Sequence, residues 1–328
     1  MKKLLVILGP TATGKTDLAL RLASLAQGEL VSVDSRQVYV GLNIGTGKLP
    51  SSGRWKIARL AKRETGKWIV NGIPIHMYDV VSPKIQYSVA DYVKDANHVI
   101  KEILERGNLP IVVGGTGLYL KALLEGLPNL ETPVDGLLRK KLENLSKEEL
   151  QRELQKVFTQ KWNSLNRSDR ENPRRLIRAI ELGLSPRRSP YGHLRGVSSS
   201  YDVLRIGLTA PREVLYKRVD DHVQKRIKQG MIEEAKKLHS GGLSLKRMRQ
   251  LGLEYGLLAD YLSHKITTTS ELTKILQNKI HGYVRRQLTW FKKEKNVSWF
   301  DITDENYPKN VEKLTLKWYH LANEQKKD

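Results

Sequence analysis

Cysteine is missing from all 328 residues. Its absence excludes disulfides, thiolate zinc sites and cysteine nucleophiles, and fits a reducing, cytoplasmic setting. No apolar run approaches the ~18 residues that a membrane-spanning helix requires. Met1-Lys2-Lys3 leads into only five apolar residues and a glycine before Pro10, too few for the core of a signal peptide. The 8 histidines are scattered, with no HxH or HExxH spacing, so no histidine metal site is expected. Acidic residues are also scarce relative to basic ones: 35 against 57, a formal net charge of +22. Such an excess repels itself and points to a polyanionic partner, nucleic acid before a membrane surface. The plainer alternative is a charged surface that serves solubility. Hydrophobic residues at 39% and charged residues at 28% are the balance of a globular protein with a proper core.

The chain opens as strand, helix, strand, helix, strand. Lys2–Leu8, residues 30–33 and residues 109–113 read as short buried strands. Residues 15–26 and 89–105 carry apolar side chains at helical spacing. That alternation is the pattern of a parallel α/β sheet, in which ligands sit beyond the carboxyl ends of the strands. After Leu124 the composition turns to Arg, Lys, Glu and Leu, with helical periodicity over 137–154 and 173–184 and a turn-rich close at 185–192. Residues 203–208 return as a strand, followed by long helical stretches over 212–239 and 270–293. The expected division is a P-loop α/β core from 1–124 and 198–328, with C-terminal helices, and a helical insertion domain over 125–197.

Gly9-Pro10-Thr11-Ala12-Thr13-Gly14-Lys15-Thr16 matches G-x-x-x-x-G-K-[ST] in full, between a strand and a helix as the motif requires. Backbone N–H groups there would close around phosphate oxygens, Lys15 would bridge phosphates, and the Thr16 hydroxyl would ligate Mg²⁺. A P-loop by itself suggests an NTPase or kinase, which also places an acid on the metal. Here the strand over 109–113 runs into Gly114-Gly115-Thr116-Gly117, with no such acid. The well-placed carboxylate is Asp34, 18 positions after Thr16. It reads equally as a general base or as the N-cap of a helix that follows the strand. Residues 166–200 hold eight arginines against three acids, and Arg174, Arg175 and Arg178 fall on one helix. A second basic cluster, Tyr283 to Lys295, interleaves Trp290 and Phe291, which read more readily as core than as stacking surfaces.

Together these residues resemble the tRNA dimethylallyltransferase (tRNA isopentenylpyrophosphate transferase) family over roughly residues 4–300. Beyond the P-loop, the likeness is carried by Asp34-Ser35-Arg36-Gln37-Val38-Tyr39, Ile44 to Lys48, His76, Asp79, Pro83 and Tyr87-Ser88. It continues through Val113 to Tyr119, Asn172 to Glu181, and Arg285 to Phe291. The resemblance implies transfer of a dimethylallyl group from dimethylallyl diphosphate to N6 of an adenosine beside the anticodon of tRNA. The diphosphate would lie in the P-loop, with Asp34, Lys15 and Thr116 as the catalytic residues. It also implies that Asp34, Ser35, Arg36, Gln37 and Thr116 contact the extruded nucleotide, and that Arg139 and Arg174, Arg175, Leu176, Ile177 and Arg178 bind tRNA. A cytoplasmic monomer with no membrane partner is expected. Departures from the family pattern are Gly47 for alanine, Leu49 before Pro50, His222 for arginine, and Gly252-Leu253-Glu254-Tyr255 for Gly-Tyr-x-Glu. Two other readings stay open: a small-molecule kinase with Asp34 as base, and a non-catalytic RNA-binding module on a P-loop fold.

Overall fold

The computed structural model describes residues 1–48, 62–127, 130, 132, 134–185 and 196–324. Leu49 and Pro50, Arg187 and Arg188 of the turn-rich stretch, and Arg195 lie outside the described residues. The chain divides into two compact units, Met1–Glu125 with Val197–Asp328, and Gly126–Gly196.

The first unit is built on a sheet. Lys2–Leu8 forms β1, Gly28–Val33 β2, Lys62–Glu64 β3, Lys67–Val70 β4 and Ile73–His76 β5. Leu109–Gly114 forms β6, Tyr201–Thr209 β7 and Ser298–Asp301 β8. Among the described residues their order is β3-β4-β5-β2-β6-β1-β7-β8. The pairs from β5 through β8 are parallel, and β3-β4-β5 is an antiparallel edge. Leu4 to Leu8 of β1 are buried, which is why it reads as an unbroken apolar run and not as an alternating one; all of β2 is buried as well, Glu29 and Ser32 included. Helix α1 (Lys15–Ala26) packs on the sheet through Leu18, Ala19, Leu22 and Ala23. Helix α2 (Val89–Glu105) begins at a reciprocal capping box, Ser88 with Asp91. Helix α3 (Gly117–Glu125) follows β6. The fold is α/β, with a mostly parallel sheet flanked by helices.

In the second unit, α4 (Gly136–Leu142), α5 (Lys147–Val157), α6 (Thr159–Ser164), α7 (Arg167–Arg170) and α8 (Pro173–Leu184) surround Leu142, Leu150, Leu154, Leu176 and Ile180. The single helix expected over 137–154 is two, because Ser146 caps α5 with Glu149 in a second capping box. The stretch over 212–239 also divides, into α9 (Arg212–Lys228) and α10 (Met231–Ser240), where Gly230 turns to φ +95°. Two short helices, α11 (Leu245–Leu251) and α12 (Leu253–Leu262), precede the long α13 (Thr269–Phe291), and α14 (Tyr307–Glu324) follows β8. Among the described residues, no helix is long and apolar enough to cross a membrane.

Candidate active site

The P-loop connects β1 to α1. Gly9 has φ +143°, and a Cβ there would drive into the Leu208 carbonyl oxygen of β7, so the loop can leave the sheet here only at glycine. Thr13 is fully buried and its hydroxyl donates to the Pro10 carbonyl at 2.9 Å. Lys15 Nζ donates to the same oxygen at 2.6 Å. Burial pulls the Lys15 ammonium down to about 7, against the opposing pull of Asp34. An arriving anion would supply the counter-charge that this site withholds. Gly9, Pro10 and Thr13, expected among the binding residues, shape the loop from behind, whereas Thr11, Ala12, Gly14, Lys15 and Thr16 line the pocket.

Asp34 follows β2 and lines the same pocket. Its Oδ1 accepts from the backbone N–H of Arg36 at 2.8 Å and of Gln37 at 3.3 Å. No helix follows, so the expected N-cap is instead the clasp of a turn over residues 35–38, and it occupies one carboxylate oxygen. The Gln37 side chain ties the turn down by accepting from the Ser32 hydroxyl at 2.7 Å and donating to the Thr46 carbonyl at 3.3 Å. Thr116 Oγ1 accepts from the Ser35 N–H at 3.4 Å. The Tyr283 hydroxyl lies near it; burial pushes that hydroxyl up to about 12, so it stays protonated. Ser35, Arg36 and Thr116 thus form a bonded group at the end of β2, beside the lining residues and not among them.

Two residues from α13 complete the pocket, Tyr283 and Gln287. Gln287 is 5% exposed; it accepts from the Thr11 N–H at 2.9 Å and donates to the Gly115 carbonyl at 2.8 Å. This one amide holds the P-loop to the end of β6. Both positions lie in the basic aromatic cluster, where charge drew attention to the neighbouring cations and away from these two side chains. A glutamine on the buried stripe of an amphipathic helix was the available signal, since a buried amide must find partners. Within that cluster Phe291 is core, while Trp290 keeps 37% of its surface exposed.

The pocket draws further basic side chains from α9. His222, Lys225 and Arg226 of α9 line it with Lys15. His222 is held down to about 4 by burial and by the charges of Arg226, Arg218 and Lys225, so the imidazole is neutral at physiological pH. Facing these cations are Asp34, the Thr16 hydroxyl and Asp17. Those hard oxygens suit Mg²⁺, which takes one or two protein oxygens and completes its shell with water and phosphate. Among the described residues, no cluster of three or more His, Cys, Asp or Glu forms an all-protein metal cage.

The expected tRNA-binding residues of the second unit divide sharply. Leu176 and Ile177 are 0% and 8% exposed in the core of the helical unit, where RNA cannot touch them. Arg139 grips the buried Glu181 with two bonds, of 2.6 and 2.9 Å. Arg178 reaches the same carboxylate at 3.2 Å and the Thr132 carbonyl at 3.0 Å. Arg175 pairs with Asp169. These arginines hold the unit together, and an RNA role for them would be additional. Arg174, in the first turn of α8, is exposed.

Fold and site together define a P-loop α/β protein whose pocket joins the loop to a carboxylate turn and to basic side chains of α9. Sequence comparison narrows the class. The IPP transferase family model matches residues 37–294 and the Isopentenyl transferase model residues 2–64. The chain is 36% identical over 307 residues to the tRNA dimethylallyltransferase of Anoxybacillus flavithermus, covering 93% of this chain and 92% of that one. It is 37% identical over 309 residues to that of Pelotomaculum thermopropionicum, covering 93% and 91%. The crystal structure of the full-length tRNA isopentenylpyrophosphate transferase from Bacillus halodurans superposes with a TM-score of 0.68 at 31% identity, over 100% of both chains. A eukaryotic dimethylallyltransferase acting on tRNA shares the fold, with a TM-score of 0.75 at 22% identity over 98% of this chain and 80% of that one. The chain belongs to the IPP transferase family.

Proposed function

We propose that this chain transfers a dimethylallyl group from dimethylallyl diphosphate to N6 of an adenosine beside the anticodon of tRNA. The observation that carries the reading is one pocket, in one unit, joining an intact P-loop to a carboxylate with no metal-binding acid at the end of β6. A kinase or NTPase of this fold would use such an acid with ATP. A transferase whose leaving group is already a diphosphate has no γ-phosphate to activate. The likeness to tRNA dimethylallyltransferases supplies the substrates.

Backbone N–H groups of the P-loop and Lys15 would bind the diphosphate, with Thr16 holding Mg²⁺. The ion, when bound, supplies positive charge beside the departing pyrophosphate. The adenine must leave its stack to enter the pocket. Its exocyclic nitrogen attacks the allylic C1, the C1–O bond to the diphosphate breaks, and the extra proton on nitrogen passes to Asp34. Oδ1 is engaged with the turn, so Oδ2 is the accepting oxygen. Thr116, which accepts from the Ser35 N–H, would order the wall where the base lies. The reading places Arg174 on the RNA surface. Incubating tRNA with labelled donor and Mg²⁺, without ATP, tests it: label should appear on adenosine. Transfer that depends on ATP hydrolysis would replace it with a kinase reading.

A further inference from the structure

Arg218, His222 and Arg226 follow one another at four-residue intervals on α9 and so share a helix face. The Arg218 guanidinium approaches the P-loop at Gly14: a Cβ built there would lie 3.7 Å from its Nη2. His222, in the middle, lines the pocket without a charge. Arg226 closes the row. Its Nη1 donates to the Gly45 carbonyl at 3.1 Å and stands 3.8 Å from Glu254 Oε1, whose carboxyl is pushed up by burial. Nη2 lies where residue 47 would carry its side chain: a Cβ on Gly47 would fall inside the 3.0 Å that real Cβ atoms respect. Gly47 also sits at φ +64° and lines the pocket beside Arg226.

We propose that Arg226 is a ligand of the donor's diphosphate, and that glycine at position 47 is the opening through which its guanidinium reaches the pocket. The proposal rests on reading this pocket as a diphosphate site. The planar fork suits phosphate oxygens, and its five N–H donors exceed what Gly45 and Glu254 can take. Because His222 brings no charge to the middle of the row, the guanidinium that this face of α9 offers the pocket lining is the one a turn further on, with Lys225 beside it.

The test is the affinity of the full-length protein for inorganic pyrophosphate with Mg²⁺, measured on wild type, Arg226→Gln, Gly47→Ala and the double variant. Arg226→Gln should bind about tenfold more weakly or worse, the usual effect of losing hydrogen bonds to a charged group. Gly47→Ala should weaken binding in the wild-type background but add little once Arg226 is gone, because both changes remove the same contact. Wild-type affinity in Arg226→Gln overturns the proposal. Equal losses from Gly47→Ala in both backgrounds also overturn it, since they would trace to loop strain. Arg226→Met is read by the same criterion if Arg226→Gln does not fold. A wild-type protein with no affinity for pyrophosphate overturns this proposal together with the donor reading, whereas binding that ignores Arg226 overturns this proposal alone.

Discussion

Asp34 Oδ1 accepts two backbone N–H bonds, so a substitution that deletes the carboxylate also loosens the turn. Asparagine keeps an acceptor at Oδ1 and removes the base. Asp34→Asn should therefore lower the single-turnover transfer rate by about 10²–10⁴, the usual worth of a general base, while melting near wild type. A near-wild-type rate would reduce Asp34 to its turn. The same division of labour shows what the sequence disclosed at this scale. The P-loop and Asp34 were legible because fixed spacing around a strand end dictates where they go. Gln287 and Tyr283 were not, because they reach the pocket from a helix more than 160 positions away from their partners, and no local pattern records that. Several motif positions turn out to be scaffold. Asp79 binds the buried Lys48 and the Trp68 indole N–H, Ser88 caps α2, and the Pro83 carbonyl accepts from Arg247 at 2.8 Å.

Among the elements, the antiparallel edge β3-β4-β5 was unread, although Asn71-Gly72 joins β4 to β5 with both residues at positive φ, a strong two-residue hairpin signal. Where β2 meets β5 and α2, Glu29 is 4% exposed. It accepts from Arg106 at 3.0 and 2.9 Å and from Asn108 at 2.8 Å, and lies 2.6 Å from His76 Nε2. Burial pushes its carboxyl up, but these donors outweigh burial and hold it at about 2. A depressed folded value means that the stabilisation is present above the unfolded carboxylate range. It fades as pH falls from about 4.5 toward 2. Thermal melts should show wild type losing stability through that window, and Glu29→Gln should be weaker at neutral pH with a flatter acid limb. Parallel acid limbs would contradict this account. Within the helical unit, Arg178→Gln should lower the melting temperature, because it strips a partner from the buried Glu181. Arg174→Gln should leave melting unchanged, weaken tRNA binding and reduce its salt slope by about one unit. An unaltered salt slope would make Arg174 a solvated side chain.

For the whole molecule, the sequence disclosed the α/β class because an apolar strand followed by an amphipathic helix admits few other folds. It misplaced helix ends because caps such as Ser146 and the positive φ of Gly230 interrupt periodicity without changing it. The Arg-rich stretch was only half legible: charge marks a surface, but it does not reveal which arginines are already engaged inside the unit, as Arg139 and Arg178 are with Glu181. A net charge of +22 fits a polyanionic substrate, and the P-loop pocket with Lys225 and Arg226 in its wall fits a smaller anion. Both come together in one measurement. Purified protein is incubated with unmodified tRNA, labelled dimethylallyl diphosphate and Mg²⁺, with no ATP, and the digested nucleosides are separated. The account predicts label on N6 of an adenosine next to the anticodon, with pyrophosphate released in equal amount and both formed about 10²–10⁴-fold more slowly by Asp34→Asn. Unlabelled tRNA, or label that appears only when ATP is supplied and hydrolysed, would contradict it.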